Sequence, residues 1–150
     1  MAQSADGAPH ILLVVARFYE DIADAMIAGA RAELERAGAT FEIVGVAGAF
    51  EIPAAIGFAH RGGEFDGYVG LGCVIRGETS HYDYVCGESA RGLNMLAIDH
   101  GAAIGYGILT TENHQQALAR AAVDQGNKGA YAARACLDLV ALRRRFGDRT

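Results

Sequence analysis

The sequence predicts one α/β domain, an open three-layer α/β/α sandwich around a four-stranded, mainly parallel sheet. Three observations lead there. Four short apolar runs, residues 11–16, 41–46, 68–75 and 103–109, are nearly continuous, as strands buried on both faces should be. Segments with apolar residues at helical spacing alternate with them, which implies crossover connections and therefore parallel strands covered on both faces. The 150 residues, 51% hydrophobic and 21% charged, suffice for a single domain that buries roughly 70% of its unfolded surface.

In chain order, residues 1–10 are small and polar and read as a flexible arm, leaving residues 11–150 as one domain. After the first strand come Arg17, Phe18 and Tyr19, and a helix from Asp21 that places Ile22, Met26, Ile27, Ala30 and Leu34 on one face before Gly38 ends it. Residues 41–46 form the second strand. Pro53 suits the first turn of the next helix, which residues 61–63 interrupt near His60. The third strand, residues 68–75, changes abruptly to Arg76-Gly-Glu-Thr-Ser-His81, and a helix from Tyr82 to about Gly101 follows, with Val85, Leu93, Leu96 and Ala97 inward. Beyond the fourth strand, residues 110–113 cap a short helix through Leu118 and Ala121. Residues 125–129 read as a turn. The last helix carries Ala133, Cys136, Leu137 and Val140 and ends in Arg143, Arg144 and Arg145, which read as a solvated helix end.

Composition narrows the function. A formal charge of −5 leaves no basic surplus to neutralise phosphates, so a nucleic-acid partner is not expected. No apolar run approaches ~20 residues, so no membrane span is expected. Residues 1–9 lack a basic start and an apolar core, unlike a signal peptide. The expected compartment is the cytoplasm, with Cys73, Cys86 and Cys136 reduced. Those cysteines show no metal-ligand spacing and none reads as a nucleophile, so no metal site is expected.

Parallel strands gather their carboxyl ends on one edge, where ligands of open α/β sheets bind. Four segments meet there: residues 17–19, 49–51, 76–81 and 110–113. They bring aromatic faces, the Glu51 carboxylate, the glycine-punctuated turn at Gly77 before a helix start, and His81, which can move protons near neutral pH. That inventory suits a planar, polyhydroxylated ligand that bears or loses a phosphate. The same residues also describe an ordinary capped strand-to-helix turn with core aromatics. No G-x-G-x-x-G joins the first strand to its helix, and the P-loop pattern is missing. Lys128 is the only lysine in the chain.

Four motifs, Gly48-Ala-Phe-Glu-Ile-Pro53, the run from Gly72 to Val85, Gly107-Ile-Leu-Thr-Thr-Glu-Asn113 and Asn127-Lys-Gly129, occur in the order found in lumazine synthases, and the chain resembles that family from about Ile11 to Phe146. The resemblance implies a flavodoxin-like fold and the condensation of 5-amino-6-(D-ribitylamino)uracil with 3,4-dihydroxy-2-butanone 4-phosphate. The products are 6,7-dimethyl-8-ribityllumazine, phosphate and water, without metal or redox cofactor. It further implies that Phe18 stacks on the pyrimidine, that Glu51 accepts from ribityl hydroxyls beside Ala49 and Phe50, and that Val74 and Ile75 hold the heterocycle. Gly77, Glu78 and Thr79 would wrap the phosphate, Arg120 would clamp it, and His81 would shuttle protons. Tyr106 and Lys128 would complete the pocket, Lys128 near the ring carbonyl. By the same resemblance Tyr106, Arg120 and Lys128 come from the adjacent subunit of a homo-oligomer built on a cyclic pentamer, in some members stacked into decamers or larger shells. Two positions depart from the family pattern: Tyr131 stands where an acidic residue is usual, and Tyr106 where phenylalanine is common. A carrier that keeps the fold without turnover would need no phosphate clamp, so His81, Arg120 and Lys128 point to catalysis. A flavodoxin-like electron carrier does not fit the strand-end motifs.

Overall fold

A computed structural model describes residues 7–147, so residues 1–6, most of the stretch read as an arm, lie outside the described residues. The four apolar runs are strands: β1 (His10–Ala16), β2 (Thr40–Val46), β3 (Gly67–Ile75) and β4 (Ile104–Thr111). They pair in the order β2-β1-β3-β4, every pair parallel, with Val15 beside both Gly45 and Leu71, and Leu71 beside Gly107. The helices are α1 (Glu20–Arg36), α2 (Ile52–Gly62), α3 (His81–His100), α4 (His114–Ala121) and α5 (Lys128–Arg145), and one 3-10 turn at Ala49–Glu51 leads into α2.

Alternation along β1 divides the core into two layers. Ile11, Leu13 and Val15 pack with Met26, Ala30 and Leu34 of α1, Ala117 and Ala121 of α4, and Ala132, Cys136 and Val140 of α5. Leu12, Val14 and Ala16 face the other way, onto Ile52 and Ile56 of α2 and Val85 and Leu93 of α3. The result is the expected three-layer α/β/α sandwich of flavodoxin-like type. The α5 layer lies unusually close to the sheet. A Cβ on Gly105 would run into the Ala132 carbonyl, so glycine there is what lets helix and strand touch backbone to backbone. The α1 and α5 layers are also joined by Glu33. Its carboxylate accepts from Arg36 and, 101 residues along the chain, from Arg134 Nε at 2.7 Å. The Arg36 hydrogen bond, then that of Arg134, holds Glu33 below the usual carboxylate range.

Several boundaries and roles differ from the sequence reading. The segment read as a turn at residues 125–129 ends early, because Lys128 and Gly129 already belong to α5, entered through Asn127 in the left-handed region at φ 49°. Strand β4 runs two residues past Leu109, since Arg76 N–H donates to the Thr111 carbonyl at 2.9 Å and keeps the ladder going. The edge strand β2 is not covered on both faces: Ile43 and Val44 are each 41% exposed. The arginines closing α5 are more than a solvated end. Arg143 donates to the carbonyls of Gly101 (2.9 Å) and Asp66 (2.7 Å), and Arg144 donates to the Gly7 carbonyl at 2.9 Å. Asp66 itself is buried, and its carboxylate accepts the His10 N–H at 2.8 Å, so these groups clamp the amino ends of the strands.

Candidate active site

Because every strand is parallel, the residues following β1, β2 and β3 emerge on one edge, and a cavity of about 600 Å³ lies among them. Phe18, Ala49, Phe50, Glu51, Val74, Ile75 and His81 all line it. Each is placed by a local rule. Phe18 sits between β1 and α1, 74% exposed, with its ring edge-on to Tyr19 at 4.9 Å. The ring thus presents an exposed aromatic face at the cavity. Glu51 closes the 3-10 turn ahead of Pro53, exposed and, among the described residues, without an ion pair. His81 is the first residue of α3, and no protein group hydrogen-bonds its ring among the described residues. The histidine is therefore positioned by its backbone and left available.

The loop from Arg76 to Ser80 joins the two halves of that wall. Arg76 is fixed there by Glu112 at 3.1 Å and Asp83 at 3.5 Å, with its guanidinium 4.2 Å over the Tyr82 ring. Gly77, Glu78 and Thr79 are exposed on this loop and do not form the walls of the cavity itself. Thr79 Oγ1 accepts the His81 N–H at 3.3 Å, a cap by the residue before Ser80 rather than by Ser80 itself. Nothing stands within 4 Å of where a Gly77 side chain would project, so the glycine leaves backbone open to a ligand.

The remaining three residues fall elsewhere. Tyr106, Arg120 and Lys128 line a second cavity of about 240 Å³, against β4 and the start of α5, with Thr110 and Tyr131. Arg120 donates to the Gln116 carbonyl at 3.0 Å, and no carboxylate pairs with Arg120 or Lys128 among the described residues. Partial burial pushes the Tyr106 hydroxyl above its ordinary range. The twelve residues that the resemblance assigns to substrate and the one it assigns to proton transfer are thus divided on a single chain: one wall carries Phe18, Glu51 and His81, the other Tyr106, Arg120 and Lys128.

Sequence reasoning placed Tyr19 at the ligand edge and noted Tyr131 only as a departure from the family pattern; it did not assign Cys73 or Tyr84 to the larger cavity or Tyr131 to the smaller one. Tyr84 and Tyr131 had a signal, since each lies three residues along a helix from a site residue, His81 and Lys128, and so shares its face. Cys73 sits in an apolar strand and gave none. Burial pushes its thiol up to about 11, which keeps it protonated beside the cavity.

An open parallel sheet with a largely apolar, aromatic-lined crevice at its carboxyl edge, holding one carboxylate and one histidine, is the small-ligand site of an α/β enzyme. The model of the family 6,7-dimethyl-8-ribityllumazine synthase matches residues 8–144. The chain is 55% identical over 143 residues to 6,7-dimethyl-8-ribityllumazine synthase 1 of Rhizobium meliloti (strain 1021), covering 92% of this chain and 94% of the relative. It is 54% identical over 136 residues to the 6,7-dimethyl-8-ribityllumazine synthase of Erythrobacter litoralis (strain HTCC2594), covering 91% and 96%. Its identity to that of Agrobacterium fabrum (strain C58 / ATCC 33970) is 51% over 144 residues, covering 93% and 97%. The chain belongs to the 6,7-dimethyl-8-ribityllumazine synthase family. It is a transferase of riboflavin biosynthesis, condensing ribitylaminouracil with the four-carbon phosphate ester.

Proposed function

We propose that the condensation takes place at a composite site, in which the larger cavity of one copy is completed by the smaller cavity of the next. The observation that carries this reading is the separation of the two residue sets into two cavities of one chain. In it the pyrimidine stacks on Phe18 against Val74 and Ile75, and the ribityl chain runs past Ala49 and Phe50 to the Glu51 carboxylate, an acceptor for its hydroxyls. The four-carbon ester brings its phosphate to Gly77, Glu78 and Thr79 at the start of α3, whose positive dipole end favours an anion. Arg120 of the neighbouring copy closes over that phosphate with its planar fork, and Lys128 and Tyr106 of the same neighbour cover the ring.

His81 stands between the amine and the phosphate ester. It takes a proton as the amine adds to the ketone and returns one as water departs to give the imine. It next assists loss of the phosphate, whose charge Arg120 receives, and finally the ring closure. Each step exchanges a proton with a group that is exposed and unpartnered, which is what a shuttle requires.

A ring of copies in head-to-tail contact gives each interface one cavity of each kind. The apolar surface left on a single chain supports such contacts: Met95 and Ile98 on α3 are exposed beside a groove of about 400 Å³ formed by Leu93, Ala97, Ile104 and Tyr106. The assembly proposed is a homo-oligomer built on a cyclic pentamer, acting in the cytoplasm. Among the described residues no helix is long and apolar enough to cross a membrane.

The test is complementation. Phe18→Asp and Arg120→Ala variants, each inactive alone, are refolded together, and lumazine formation is followed by fluorescence. Random mixing in equal amounts leaves roughly a quarter of interfaces with both halves intact, so activity should return to about that fraction. Mixed rings that form and stay inactive would place Phe18 and Arg120 in one subunit's pocket.

A further inference from the structure

Lys128, the chain's single lysine, lies at the first position of α5, and its ammonium stands 4.8 Å from the centroid of the Tyr131 ring. Residues three apart on a helix share a face, and here that face is fixed from behind. A Cβ on Gly129 would run into the Met26 carbonyl, so the start of α5 is pressed against α1. Gly129, Ala132 and Ala133 are buried, while Lys128 and Tyr131 point outward onto the smaller cavity. Tyr131 is 67% exposed, and among the described residues its side chain makes no hydrogen bond and no other ring contact.

We propose that Tyr131 is a positioning residue of the enzyme, whose ring holds the Lys128 ammonium at the mouth of the smaller cavity in the orientation that meets ligand. The inference rests on the composite site proposed above, since it needs Lys128 to face ligand. A lysine side chain has four freely rotating bonds, and fixing them on binding weakens affinity. An aromatic face attracts the ammonium through its quadrupole and confines it before ligand arrives. A carboxylate would also confine it, but would cancel its charge. The ring leaves Lys128 and Arg120 as two cations on a wall that contains no acidic side chain. Tyrosine supplies this hold through its ring, so its hydroxyl is dispensable for it.

A double-mutant cycle on the full-length assembled protein separates this role from a structural one. Binding of the reaction product, 6,7-dimethyl-8-ribityllumazine, would be titrated by fluorescence in the wild type and in Tyr131→Phe, Tyr131→Leu, Lys128→Met and the Tyr131→Leu/Lys128→Met pair. Tyr131→Phe should bind as the wild type does. Tyr131→Leu should bind about two- to fivefold more weakly, the size of an exposed cation–π contact. Lys128→Met should weaken binding further, and adding Tyr131→Leu to it should cost nothing more. The proposal is overturned if Tyr131→Leu binds normally, or if it costs the same factor with Lys128 present or absent. A Lys128→Met protein that binds product as tightly as the wild type removes Lys128 from the site, and the positioning role with it. In that case the complementation of Phe18→Asp by Arg120→Ala still reports separately on the composite site.

Discussion

At the amino ends of the strands Asp66, His10, His60, Tyr68, Arg143 and Arg144 bond one another or nearby carbonyls. At the carboxyl ends Arg76 is tied to Glu112 and Asp83, and Arg120 donates to the Gln116 carbonyl. Phe18, Glu51, His81, Arg120 and Lys128 are exposed there, however, and among the described residues none of them makes an ion pair. The two ends hold similar side-chain types, and the contrast lies in the groups that face the cavities, whose charges the described residues leave unpaired. Where polar groups are paired they fasten the sheet; where they are not, they are left for a ligand or another copy. Substitutions should therefore fall into two classes, one that moves melting temperature without turnover and one that moves turnover without melting temperature.

The largest effect expected is on the rate. His81→Ala should lower kcat by about 10²-fold, the lower end of what a positioned acid–base group contributes, and leave the melting temperature unchanged. A wild-type rate across neutral pH would remove His81 from proton transfer.

Asp66→Ala is the counterpart at the other end. It leaves the His10 N–H unpaired and takes away the carboxylate 3.7 Å from the partly buried Arg144. The expected loss is about 2–3 kcal/mol, or roughly 5–10 °C in Tm for a chain of this size, with kcat intact below the transition. A drop in kcat at constant Tm would mean that the clamp and the site are coupled.

The smallest effect is chemical and sharpens the contrast with the cysteines. Burial raises Cys73 to about 11 and Cys136 to about 12. Both folded values exceed the ordinary thiol value, so the folded chain holds these protons as pH rises past 9 and loses stability on the way up through 11 to 12. At pH 8 Cys73 is on the order of 10⁻³ thiolate. Its alkylation by iodoacetamide, read by mass spectrometry, should climb about tenfold per pH unit up to pH 10. Bound product should shield Cys73, which lines the larger cavity, and leave Cys136 at the amino ends as it was. A rate that levels off below pH 9 would show a thiol activated by its surroundings.

This contrast also marks what could be read from the sequence. Continuous apolar runs located the strands, because burial on both faces demands them, and the parallel order then collected residues 17–19, 49–51 and 76–81 at one edge without coordinates. The same rule misjudged β2, whose apolar run is that of a covered strand although Ile43 and Val44 are half open on this chain. Periodicity registers a wish for burial and is silent about who provides it. The arginines of α5 were misread for a related reason. A basic helix end suits solvent on helix-dipole grounds, and only the fold brings Asp66 and Gly101 within reach of Arg143. The Lys128–Tyr131 contact could have been inferred from spacing, but the turn read across residues 125–129 hid the helix that creates it.

The closeness of α5 to its neighbours has a consequence for how the chain is made. The layer holding α2 and α3 is composed of residues no later than Ile108, so it can be completed while the rest is still being translated. The opposite layer needs Ala132, Cys136 and Val140, and its Glu33–Arg134 tie spans 101 residues, so α1 waits uncovered until the last helix emerges. Lys128 arrives on that helix. A nascent chain can therefore shape the wall bearing Phe18, Glu51 and His81 early, but it gains its lysine only as its core closes, and no half-made molecule carries both walls.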